Sequence, residues 1–164
     1  MRCFFDRHLK NRRGFTLIEV IIAVIVLAIA VPPTLNLMDS ASAGRVDAIN
    51  VTRATMLSTL VIESVMADLT SNDASLGFSA LSDSAAYLST PVTGLYDRIA
   101  SLTDSYTNVG LTYAVTISGL VASDGNVSGT SSENIYRTVT VDVSFPSANS
   151  APFTMPVSIL ISEL

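Results

Sequence analysis

The apolar run from Phe15 to Val31 constrains this chain more than any other feature, because it is long enough to enter a membrane as a helix. A helix of that length rises about 25 Å, and continuation to Met38 reaches the roughly 30 Å of a hydrocarbon core. Basic residues precede the run, and Pro32-Pro33 follows it directly. Since basic flanks stay cytoplasmic, the sequence predicts one membrane-spanning helix with the C-terminal part on the far side.

One carboxylate, Glu19, interrupts this run. An acidic side chain at a bilayer centre costs roughly 2.5–3.5 kcal/mol on insertion scales, so its presence indicates a function. An ordinary signal peptide cleaved after Ala30 would explain the basic and apolar segments, but its apolar region is shorter and carries no acid. A plain signal anchor would explain the length and leave Gly14 and Glu19 without a role. Neither alternative explains the acidic side chain of Glu19 within the apolar run.

The segment Arg12-Arg13-Gly14-Phe15-Thr16-Leu17-Ile18-Glu19 resembles the processing and methylation motif of type IV prepilins and of type II secretion pseudopilins. The resemblance covers about twenty residues. It implies that a prepilin peptidase cleaves between Gly14 and Phe15 and methylates the new amine of Phe15. It also implies that Glu19 meets the amino terminus of a neighbouring subunit and sets its registry. The alternative for Glu19 is a protonated acid with a hydrogen bond inside its own helix.

Composition and charge exclude several functions for the processed chain. Removal of residues 1–14 leaves four basic and thirteen acidic residues, a formal net charge of about −9. Nucleic-acid binding needs clustered Lys and Arg, so the sequence gives no direct evidence for it. Cys3 and His8, the only cysteine and histidine, lie in the leader. The processed chain therefore has no thiol or imidazole for nucleophilic catalysis or a zinc site. We expect no enzyme, no cofactor and no metal.

The helix beyond the membrane is predicted to break or kink at Pro32 and Pro33, because each proline removes an amide donor and clashes with the preceding turn. It should resume at Thr34 and end near Leu69. An apolar stripe with helical spacing is expected to pack on the sheet of the same domain. The stripe comprises Val46, Ile49, Met56, Leu60, Val61, Val65 and Leu69.

Residues 70–110 are rich in Ser, Thr and Asp, and they predict a long irregular connection with one short helix at 95–102. Three alternating segments follow and predict an antiparallel meander: 111–118, 135–145 and 153–161. Pro156 places the third strand at an edge. Asp124-Gly125 between the first two strands predicts a turn in preference to a calcium loop, since no second carboxylate stands at ligand spacing.

The predicted fold is α+β: a long N-terminal helix, transmembrane in its first half and kinked at the proline pair, on a small antiparallel sheet, as in pilins. The predicted divisions are a leader (1–14), an assembly helix (15–38) and a periplasmic or extracellular domain (39–164), with its helix at 39–69, a variable region at 70–110 and its sheet at 111–164.

The resemblance implies a structural subunit of a pilus or pseudopilus in the bacterial inner membrane. Its acidic domain and paired prolines favour a minor subunit. The implied partners are the peptidase, other subunits, an inner-membrane assembly platform and lipid; the alternative is an anchored binding module that does not polymerise.

Overall fold

A computed structural model describes residues 14–71, 73, 75–147 and 151–163. The predicted leader, with Arg12, Arg13, Cys3 and His8, lies outside the described residues except for Gly14. The elements follow one another as helix α1 (Leu17–Leu69), helix α2 (Ser84–Ser89), helix α3 (Leu95–Thr107) and strands β1 (Thr112–Ile117), β2 (Tyr136–Phe145) and β3 (Phe153–Ser162). Short 3₁₀ turns at Ala80–Ser82 and Ser131–Glu133 lie between them.

Helix α1 continues through Pro32 and Pro33 as one element, so the predicted alternative of a break is wrong. The Thr34 hydroxyl donates to the carbonyl oxygen of Val31 at 2.7 Å and lies 3.3 Å from that of Ala30. A threonine can therefore support the backbone beside prolines that offer no amide donor. The bend at the proline pair stays a prediction.

The chain divides into two compact units by its contacts, one ending at Ser42 and one beginning at Ala43. The first unit is helical throughout its described part from Leu17, and all of its described residues are exposed. The second holds the core, the sheet and the remaining helices. The division at 15–38 and 39–164 that the sequence predicts stays a prediction.

The sheet has the predicted antiparallel meander, in the order β1-β2-β3. Val115 pairs with Val141 of β2, which in turn pairs with Val157 of β3. Strand β2 alternates buried and half-buried positions along its whole length, as a central strand does when one face packs on a core. Pro156 lies in β3, at the edge of the sheet, where a residue without an amide donor is tolerated.

The buried face of α1 differs from the predicted stripe. Val61 and Val65 are fully buried as expected, but Val46, Ile49 and Met56 are exposed. The residues that α1 buries are Asn50, Ala54, Leu57, Ser58, Val61, Val65 and Asp68. The prediction for the first half of the stripe was wrong because it followed the largest apolar side chains. The structure instead packs small residues such as Ala54 against the sheet, where they allow close approach.

One inward position of β2 also differs. Ile135, the first residue of the predicted second strand, lies before β2 and is half exposed. Arg137 occupies the corresponding inward position and is 8% exposed. Its guanidinium lies 5.6 Å from the centre of the Phe78 ring and donates to the carbonyl oxygen of Ser118 at 2.9 Å. A cation on an aromatic face is less costly to bury than one in a purely aliphatic setting.

Residues 70–110 are more ordered than predicted. Helix α2 and the full length of α3 occupy them, together with a 3₁₀ turn. The aspartate Asp83 begins α2 by accepting a hydrogen bond from the amide of Ala86 at 3.0 Å. Leu81, Leu88 and Leu95 join the same core as Leu57 and Val61 of α1. The region therefore covers the core as a small helical layer, and it is not an irregular connection.

Candidate processing and assembly segment

Helix α1 begins at the third residue after the predicted cleavage position. Gly14, Phe15 and Thr16 precede it in non-helical conformation, and Leu17 is its first residue. Thr16 acts as the helix N-cap, since its hydroxyl accepts a hydrogen bond from the amide of Glu19 at 3.3 Å. Its carbonyl oxygen also accepts from the amides of Glu19 and Val20, at 3.1 and 3.2 Å.

Thr16 and Glu19 have the spacing of a capping box, in which a threonine is followed three residues later by a glutamate. The helix N-terminus also favours a negative charge in its first turn. Only the threonine half of such a box is formed, because the bond at this site is from the Glu19 amide to the Thr16 hydroxyl. The sequence analysis missed this cap, although the Thr-x-x-Glu pattern was there to indicate it. The helix N-terminus makes an acid favourable in the first turn of α1, but it does not explain an acid within an apolar run.

The carboxylate of Glu19 has no hydrogen bond or ion pair within the residues that the structure describes; only its backbone amide is bonded to Thr16. The proposed helix-internal hydrogen bond of a protonated Glu19 is therefore absent from this part of the chain. A carboxylate left without a partner in an apolar environment is costly, and a cation from another chain would remove that cost.

Gly14 is not required by the fold of this chain. A Cβ built on Gly14 meets no heavy atom of the described residues within 4 Å, and its backbone is outside the left-handed region that favours glycine. Gly94 shows the contrast: a Cβ there would lie 2.7 Å from backbone atoms of Thr90. The contacts of the described residues therefore give no reason for a glycine at position 14.

The surface of α1 around this segment is apolar and exposed. Large side chains from Phe15 to Met38 have between 42 and 82% of their area accessible. Among the described residues, α1 is the one helix long and apolar enough to cross a membrane, and none of its most apolar stretch is buried. Exposed apolar area of this extent indicates a lipid or protein environment.

The second unit contains a charged cluster that sequence reasoning did not find. Asp68, near the end of α1, receives two hydrogen bonds from Arg98 of α3, at 2.7 Å to Oδ1 and 2.6 Å to Oδ2. The Tyr87 hydroxyl donates to the same Oδ2 at 2.5 Å. Arg98 also donates from Nε to the carbonyl oxygen of Thr93 at 2.9 Å.

This cluster is mostly shielded from solvent, with Asp68 7% and Tyr87 5% exposed. Burial, and then the hydrogen bond to Asp68, raise the pKa of Tyr87 far above its ordinary value. The hydrogen bond to Asp68 likewise raises the pKa of Arg98. The groups are thirty and nineteen residues apart in sequence, so no local pattern could predict them. A bidentate Arg–carboxylate pair of this kind fixes the orientation of α3 on α1 and suits a structural role.

The loop at Asp124 is a turn. The Asp124 carboxylate accepts from the amide of Asn126 at 2.9 Å, and Gly125 has a φ of +82°. That hydrogen bond lowers the pKa of Asp124, because it stabilises the charged carboxylate. No group of three metal-ligating side chains occurs in the described residues.

Comparison with known proteins identifies a family motif in the N-terminal segment. Residues 9–31 match the family model of the prokaryotic N-terminal methylation motif. That motif is the hallmark of type IV pilin and pseudopilin prepilin-type proteins. No curated protein and no solved structure matched the chain.

Proposed function

We propose that this chain, which carries the prepilin-type methylation motif ahead of a helix of membrane length, is a structural subunit of a type IV pilus or of a type II secretion pseudopilus. The observation that carries the proposal is the motif at residues 9–31. The fold, a long helix on a three-stranded antiparallel sheet, is that of a pilin-like protein. Proteins of this kind are structural, so we assign the chain no catalytic role.

Processing by a prepilin peptidase is supported by the geometry at Gly14. The described residues before α1 are not helical, and within the described part of the chain no contact requires a glycine at position 14. The peptidase would therefore be what selects Gly14. Cleavage there makes Phe15 the first residue and leaves its amine four residues from Glu19, before N-methylation.

Registry by Glu19 is supported by its unpartnered carboxylate. A neighbouring subunit that brings the Phe15 amine to Glu19 neutralises both groups. A subunit out of step leaves both charges unpaired among apolar side chains, at a cost of several kcal/mol in a low-dielectric environment. The same apolar surface of α1 packs against other subunits once the subunit leaves the lipid. The inner-membrane assembly platform would carry out that transfer.

The finer assignment is to a minor subunit of the filament. The acidic domain and the adjacent prolines support it, and the copy number in purified filaments tests it: a few copies per filament are expected. The orientation follows from the basic leader, with the N-terminus in the cytoplasm and the second unit in the periplasm or outside the cell.

The alternative is a membrane-anchored binding module that does not polymerise. One pair of variants separates the two functions. Glu19→Ala should leave cleavage and membrane anchoring intact and remove the subunit from sheared filaments. Glu63→Ala is the matched control, because it removes an exposed carboxylate from the same helix outside the apolar run. Filament incorporation of Glu19→Ala equal to that of Glu63→Ala would contradict the registry role.

The cleavage step has its own test. Intact-mass analysis of the membrane form should show a chain that begins at N-methylated Phe15. Gly14→Leu should remain uncleaved, while its folded unit keeps the protease resistance of the parent because position 14 touches nothing in the fold. A chain that begins at Val31, as after an ordinary signal peptidase, would overturn the proposal.

A further inference from the structure

The exposed face of α1 in the second unit carries a basic and apolar stripe that is not covered by any of the residues that the structure describes. Arg45, Ile49, Arg53 and Met56 are spaced by four, four and three residues, which places them on one face of the helix. All four are exposed. This set is called the basic stripe below.

The basic stripe holds the free cations of the folded unit. Of the four arginines after the leader, Arg98 is paired with Asp68, and Arg137 is buried beside Phe78. Arg45 and Arg53 have no ion pair or hydrogen-bonded carboxylate in the part of the chain that the structure describes. The rest of the unit's surface is acidic. Two free cations on one face of an otherwise acidic unit favour a partner with an acidic surface.

Helix α3 presents a surface of matching charge and spacing. Asp97, Ser101 and Asp104 recur at intervals of four and three residues, and with Ala100 they form its exposed face. This set is called the acidic stripe below. The amide of Val92 donates to Oδ2 of Asp97 at 2.7 Å and holds that carboxylate in place. In the described residues the Asp104 carboxylate has no ion pair.

The two stripes agree in dimensions. Arg45 and Arg53 are eight residues apart, about 12 Å along a helix, and Asp97 and Asp104 are seven apart, about 10.5 Å. Between the arginines stands the large side chain of Ile49. Between the aspartates stand the small side chains of Ala100 and Ser101. When the charges of the two stripes meet, the large side chain of Ile49 therefore lies against the small side chains of Ala100 and Ser101.

We infer that the basic stripe of α1 binds the acidic stripe of α3 on a second copy of this chain. The two surfaces are different, so the contact is heterologous and can repeat from copy to copy, as a filament requires. Exposed ion pairs are individually weak, and anchoring of both copies in one membrane supplies the effective concentration that they need. In that respect the inference rests on the proposed function. A minor subunit with this contact enters a filament in pairs or short runs.

Disulfide cross-linking in membranes that hold the full chain tests the contact. All copies carry Cys3→Ser. One tagged copy carries Thr52→Cys beside the basic stripe, and a differently tagged copy carries Ala100→Cys on the acidic stripe. Mild oxidation should link the two tags to each other, with at least fivefold less dimer when both copies carry the same cysteine. Equal yields would overturn the heterologous contact.

Charge reversal supplies the decisive comparison. Arg53→Glu on the first copy, or Asp104→Arg on the second, should lower the cross-linked yield at least fivefold, and the two together should restore it. Glu163→Arg is the control, since it reverses an exposed carboxylate on a different part of the surface and should change nothing. Unchanged yields on reversal, no restoration, or a cross-link only to another polypeptide would each overturn the inference.

The membrane form from the same cells is also weighed intact. Cleavage before Phe15 without the cross-link refutes this contact alone and leaves the proposed function standing. The cross-link in a chain that keeps its leader supports the contact and contradicts the proposed function.

Discussion

Removal of the Asp68 carboxylate should destabilise the second unit more than any other single change to a charged residue. Asp68→Ala removes three hydrogen bonds, two from Arg98 and one from Tyr87. Breaking a buried ion pair costs about 3–5 kcal/mol, because the remaining charge stays buried without a partner. Arg98 can recover part of that by hydration, since 28% of its side chain is exposed.

The Tyr87 hydroxyl cannot recover in the same way, because its residue is 5% exposed. A buried donor without an acceptor costs about 1–3 kcal/mol. Together these contributions lead us to expect a loss of about 3 kcal/mol for Asp68→Ala. Tyr87→Phe removes the donor along with its need for a partner and should cost about 1 kcal/mol.

Pulse proteolysis of the full chain in detergent, across a urea series, measures the loss. With an m-value of about 1–3 kcal/mol per molar, the midpoint should fall by about 1–3 M. Asp104→Ala is the control: it removes an exposed carboxylate from α3 and should stay within about 0.5 kcal/mol of the parent. The double variant Asp68→Ala/Arg98→Met should lose less than the sum of the single variants. A loss below about 1 kcal/mol, or strict additivity, would refute the role of the pair.

Three further predictions concern the same unit, each read by the same urea series. Leu57→Ala should cost about 2–5 kcal/mol because Leu57 is fully buried, whereas Met56→Ala, one residue earlier and 56% exposed, should cost less than about 0.5; equal losses would contradict the buried face of α1. Gly94→Ala should cost about 1–3 kcal/mol because its Cβ would lie 2.7 Å from Thr90, and Gly129→Ala, in open space, should not; equal stability of the two variants would contradict the close approach. Above about pH 10 the free energy of unfolding should fall, because Tyr87 ionises in the unfolded chain while burial raises its pKa in the folded one. The unfolded state then binds fewer protons than the folded state. Tyr87→Phe should lessen the fall, and an unchanged slope of the free energy against pH would contradict the raised pKa.

The methylation motif and the strands could be predicted from sequence because both are local patterns. The motif is a run of consecutive residues, so it is recognisable at 9–31 without a fold. Strand alternation has a period of two, and it predicted all six ends of the three strands to within one residue. The continuous helix through Pro32 and Pro33 shows the limit of a local rule, since α1 continues where proline chemistry predicts a break.

The sequence by itself determined the N-terminal motif, the membrane-length helix and the order of helix and sheet, because each depends on residues that are neighbours in the chain. Only the tertiary structure decided which face of α1 is buried. Packing against the sheet and α2–α3 buries Ala54 and Leu57 and leaves Ile49 and Met56 outside. It also decided the pairing of Asp68 with Arg98, because two groups thirty residues apart meet only when the helices between them have packed.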